Sequence, residues 1–131
     1  MRLNVQTYDQ LRILSFVARR GPSGVKADEI ALGLNMPVLQ VQKLGAWLVQ
    51  AKLLQSRRGP PGGMRLAGAP GELRLGQLVT RLEKLDGASP MHAANSDSPL
   101  GKVLRQAFSA MVCTLDEHSL AEFSLDCDHG R

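Results

Sequence analysis

The chain has 131 residues, 44% of them hydrophobic, with two cysteines and a net charge of +4, which allows one modest core and little beyond it. No apolar run approaches the roughly 20 residues of a membrane span, and the opening MRLNVQTYDQ lacks the apolar core of a secretion signal. Two cysteines without a CxxC pair support neither a disulfide framework nor the usual ligand spacing of structural zinc, so a cytoplasmic protein is expected.

Charge is divided unevenly along the chain. Residues 1–75 carry eleven Lys and Arg against four Asp and Glu, whereas residues 76–131 carry five against eight. The basic part is the candidate surface for a polyanion, because excess positive charge attracts polyphosphate without fixing any sequence preference.

In chain order, Leu11, Leu14, Val17 and Ala18 recur at helical spacing between Tyr8 and Arg20, with Thr7 as the expected N-cap and Gly21-Pro22 as the stop. Residues 26–34 place Ile30, Ala31 and Leu34 on one face of a short second helix, which Asn35 ends. Pro37 reopens a helix where a missing N–H costs nothing, and Val41, Leu44 and Leu48 line its apolar side. A tight helix-turn-helix is the consequence. The third helix, 37–50, then has a free face bearing Leu39, Gln40, Gln42 and Lys43 near its start, where a recognition helix keeps the side chains that reach base edges. A solvated polar face would look the same from periodicity alone.

Directly behind it, LLQSR reads as a strand, GPPGG as a turn and MRLAG as the returning strand. Pro60 and Pro61 stiffen the tip, and Gly62 and Gly63 allow the backbone to come close to a surface. Arg57, Arg58 and Arg65 thereby gain a rigid mount from which to enter a minor groove or pair with phosphates. The fold class predicted is mainly α with a small β wing, a winged helix-turn-helix domain at 1–85.

The remainder predicts a helix over 76–85, a loop over 86–99, and a long helix started by Ser98-Pro99. Its apolar stripe of Leu100, Leu104, Phe108, Met111 and Leu115 is longer than a small core needs and suits a two-fold mate. Packing on its own domain is the alternative. Ser119 and Glu122 form a capping box for a short last helix, with Leu120 and Phe123 turned inward. Residues 100–131 are therefore expected to serve dimerisation.

The wing pattern Ser56, Arg58, Gly59, Gly62, Gly63, Leu66, Ala67, set behind this helix-turn-helix, resembles the winged-helix transcription regulators of the Rrf-two family. The likeness covers about three quarters of the chain. It implies a homodimeric DNA-binding regulator, typically a repressor, which binds an imperfect palindrome in double-stranded DNA through residues 37–50 and the wing arginine Arg58. Many members hold an iron–sulfur cluster on three cysteines between the 76–85 helix and the dimer helix. That interval, KLDGASPMHAANSDSPLGK, has no cysteine, and the family's N-terminal carboxylate segment is altered to Thr7-Tyr8-Asp9.

No cofactor is therefore predicted. Asp9, His92 and Cys113 remain as atypical metal-ligand candidates, although a cysteine within the long helix is commonly a buried, inert one. Two alternatives stay open: a regulator with an unusual iron–sulfur or nitric-oxide-sensing centre, and a winged helix that binds protein. An enzyme is not expected, since no nucleophile–base pair or phosphate-binding loop ahead of a helix is visible.

Overall fold

The computed structural model describes residues 5–57, 63–85 and 98–126. Among the described residues, six α-helices and a two-stranded antiparallel sheet follow in the order α1 (Val5–Arg20), α2 (Ala27–Leu34), α3 (Val38–Gln50), β1 (Leu54–Arg57), β2 (Gly63–Leu66), α4 (Leu75–Leu85), α5 (Pro99–Asp116) and α6 (Leu120–Asp126). The mainly α architecture with a β wing is the one the sequence predicts.

Helix α1 begins before the expected cap: Thr7 lies inside it and is fully buried. Polar Thr7 and Gln10 share the helix's buried surface with Ile13, Leu14 and Val17, so the helical face extends a turn beyond what apolar spacing reveals. Arg19 and Arg20 occupy the last turn, where positive charge suits the helix dipole, and both guanidinium groups stack over the Phe16 ring at 4.8 and 5.4 Å.

Asn35 ends α2 in the left-handed conformation, φ 56° and ψ 51°, which Asn tolerates better than most side chains. Pro37 is the N-cap of α3. Val41, Leu44 and Leu48 of α3 are buried with Ile13, Leu14 and Val17 of α1, Ile30 of α2, Leu78 and Leu82 of α4, and Leu120 of α6. Fully burying each such side chain contributes about 1.5–3 kcal/mol, so this cluster fixes how the three N-terminal helices cross.

The hairpin pairs Leu54 with Leu66, Gln55 with Arg65, Ser56 with Met64 and Arg57 with Gly63. A third strand segment, which the sequence did not announce, joins it: Val25 exchanges two 2.8 Å backbone hydrogen bonds with Met64. The wing is thereby tied to the segment ahead of α2.

The C-terminal part is braced onto α4. Ser98 caps α5 as expected, its Oγ accepting from the Gly101 N–H at 3.1 Å. At the other end of α5, Asp116 accepts from the Gln77 N–H at 3.0 Å, one of the unpaired donors at the start of α4. Backbone bonds from Leu75 to the His118 carbonyl and from Leu120 to the Leu73 carbonyl close the same corner. The Glu122 carboxylate meets His118 Nδ1 at 2.8 Å. Leu120 is buried as expected, but Phe123 is exposed: α6 turns only one of the two toward α1.

Candidate nucleic-acid interface

The first turns of α3 carry four candidate side chains, and the structure separates them. Leu39 is 79% exposed. Gln42 and Lys43 are also exposed, and the Lys43 ammonium sits 5.1 Å from the centre of the Trp47 ring one turn further on, a cation–π contact that draws the side chain along the helix. Gln40 differs from expectation. It is half-buried and its amide donates to Asp9 Oδ2 at 3.0 Å, because its side chain turns back toward α1 while its neighbours project outward.

On the wing, Arg65 is exposed on β2, and its Nε donates to Gln55 Oε1 at 3.1 Å across the hairpin. Arg57 ends β1 opposite Gly63. Arg58 and the tip at 58–62 lie outside the described residues. Between α3 and the wing runs an open cleft of about 620 Å³ whose walls include Lys26, Gln42, Ala46, Ser56 and Met64. Lys26 was not among the sequence candidates. It stands at the N-cap of α2, and the Val25–Met64 pairing next to it ties that segment to the wing.

An exposed, polar and basic helix start beside an arginine-bearing hairpin can do two things. It can offer bidentate and apolar contacts to base edges from the helix, and guanidinium contacts to phosphates from the hairpin. The family described as Rrf2, iron-dependent transcriptional regulator, matches residues 3–125. The chain belongs to the Rrf2 family. It is accordingly a DNA-binding transcription regulator.

Among relatives, a Synechocystis sp. protein named as an HTH-type transcriptional regulator, slr0846, is 30% identical over 135 residues, which cover 96% of this chain and 89% of that protein. The HTH-type transcriptional regulator NsrR of Bacillus licheniformis is 28% identical over 141 residues, covering all of this chain and 97% of NsrR. The fold matches that of T. potens IscR, with a TM-score of 0.80 at 22% identity over 100% of this chain and 91% of IscR. It also matches CymR of B. subtilis, with a TM-score of 0.76 at 22% identity over 95% and 96% of the two chains.

Iron stands in the Rrf2 description, and the donor set of this chain does not fit a thiolate-held cluster. Residues 86–97 contain no cysteine. Both oxygens of Asp9 are engaged, Oδ1 with Arg12 Nη1 at 3.3 Å and Oδ2 with Gln40. Cys113 is exposed rather than buried, since it projects from α5 well around the helix from Phe108, the side chain packed beneath. His92 and Cys127 lie outside the described residues. Among the described residues no three His, Cys, Asp or Glu side chains gather.

The stripe on α5 is also divided. Phe108 is buried within its own chain, Met111 and Leu115 are half-buried, and Leu104 is exposed. Contrary to expectation, Phe108 faces its own chain's packing, where α5 lies on α4, and has little surface left for a partner. Leu100 and Val103, at 69% and 59% exposed, extend the open apolar surface beside Leu104. No helix among the described residues is long and apolar enough to cross a membrane.

Proposed function

We propose that the chain acts in the cytoplasm as a homodimeric repressor on a palindromic operator, with α3 in the major groove and the wing on the adjacent backbone or minor groove. The observation that carries this reading is the exposed face of Leu39, Gln42 and Lys43 at the start of α3, with the open cleft between Gln42 and the wing beside it. Lys43 supplies a cation for a guanine edge or a phosphate, Gln42 a paired donor and acceptor for adenine, and Leu39 an apolar contact for a thymine methyl. Arg57, Arg58 and Arg65 supply guanidinium groups for the backbone and the narrow groove.

The test is titration of the purified protein against its own upstream promoter fragment over a salt series, wild type beside Lys43→Ala and Arg58→Ala. Loss of a phosphate-contacting cation weakens binding to all sequences and lowers the salt slope by about 1, whereas loss of a base-reading side chain takes about 1–3 kcal/mol from the specific site alone. Variants indistinguishable from wild type at every salt concentration would remove both residues from the interface.

Dimerisation is assigned to the exposed apolar surface of Leu100, Val103 and Leu104, with Met111 and Leu115 at its margin. A second copy placing the same surface against it would bury these side chains in an isologous contact. Leu104→Glu puts a charge into that contact and is expected to shift the protein to monomer in sedimentation velocity and to weaken operator binding at least tenfold, since about 1.4 kcal/mol already equals a factor of ten. An unchanged sedimentation coefficient would place the dimer contact elsewhere.

A further inference from the structure

One side-chain network joins all three helices of the helix-turn-helix unit. Asp9 and Arg12 stand three residues apart on α1. The Arg12 guanidinium donates through Nη2 to the Leu34 carbonyl at 2.6 Å and through Nη1 to Asp9 Oδ1 at 3.3 Å. Gln40 donates to Asp9 Oδ2 at 3.0 Å. Leu34 is the last residue of α2 and Gln40 lies in the first turn of α3, so two residues of α1 hold both sides of the turn between those helices.

We propose that Gln40 is a positioning residue: through Asp9 it sets the angle at which α3 presents Leu39, Gln42 and Lys43, and it does not itself read a base. This rests on the reading of α3 as the DNA-contacting helix. The chemistry of the site favours such a role. An unpaired carbonyl at a helix C-terminus attracts a cation, so Arg12 is anchored by Leu34 as well as by Asp9. The Asp9 side chain is only 12% exposed, and a carboxylate so enclosed gains more from charge-assisted hydrogen bonds than one in water. Withdrawing either partner leaves it under-satisfied. The bond holds the Gln40 amide turned toward α1, so presenting its N–H and C=O together to a base edge would require the side chain to swing away from Asp9, whereas Leu39, Gln42 and Lys43 are exposed without any such rearrangement.

The test uses the full chain with Gln40→Ala, Asp9→Ala and the double variant. Chemical unfolding of the free protein is expected to show coupling between the two sites, the double variant being less destabilised than the two single effects added together. In DNA titrations Gln40→Ala is expected to lower operator affinity about tenfold, as loss of a hydrogen bond to a charged group implies, with affinity for random DNA and its salt dependence unchanged. The double variant then loses no more than the worse single one. Independent, multiplying losses, with the Gln40→Ala deficit confined to one operator base pair, would overturn the proposal and make Gln40 a base reader. Should the wild type not distinguish operator from random DNA, the reading of α3 fails on its own account; the unfolding cycle still decides the clasp, and absence of coupling there overturns it.

Discussion

Replacing Gly63 by alanine is expected to destabilise the protein by about 3 kcal/mol, the combined scale of a strained backbone and an overpacked contact, and to weaken DNA binding with it. Gly63 has φ +112°, a conformation that side-chain-bearing residues rarely adopt, and a Cβ there would lie 2.8 Å from the Val25 carbonyl oxygen. That oxygen is the acceptor for the Met64 N–H, so relief of the clash requires the wing to part from the segment ahead of α2. Lys26 and the cleft beside Gln42 would shift together with it. Gly68→Ala is the matched control, because nothing lies within 4 Å of a Cβ at that position. Chemical denaturation of the two variants should separate them clearly; equal stability would mean that the wing is not held through Val25.

A comparable loss, about 3 kcal/mol on the same overpacking scale, is expected for Gly76→Ala at the start of α4. A Cβ at Gly76 would collide with the Val112 carbonyl and the Asp116 carboxyl group of α5. The same Asp116 caps α4 through the Gln77 N–H, so pushing α5 away removes a packing contact and a cap together. Gly71→Ala, with open space around the added carbon, should be nearly neutral. The Gly76 variant should also expose Phe108, which binding of a hydrophobic dye would register. Retention of full stability would show that α5 tolerates displacement from α4, and the surface of Leu100, Val103 and Leu104 would then lack a fixed mount.

The features legible in the sequence are those written in local chemistry. The alternation of apolar residues in α1 and α3, Asn35 at the end of α2, the Gly and Pro cluster between two strand-like runs, and Ser98 before Pro99 each need only near neighbours to act. The features that escaped depend on distant partners. Val25 joins the wing because Met64 lies opposite it, Gln40 turns inward because Asp9 is there to receive it, and Lys26 reaches the cleft by way of both the loop and the hairpin. Phe108 meets its own chain and Cys113 is exposed for a related reason: a stripe on a helix tells which residues share a face, but not whether that face meets its own chain or a second copy.

In the proposed function, the side of the molecule bearing α3 and the wing recognises a specific DNA sequence. The most direct measurement is competition between the upstream promoter fragment and random duplex DNA of equal length for the purified full-length protein at fixed physiological salt. A preference for the promoter fragment of about a thousandfold or more is expected, in the range of sequence-specific regulators, with a strong reduction of that preference in Lys43→Ala. Equal affinity for both DNAs across the salt series, unchanged by the substitution, would contradict it.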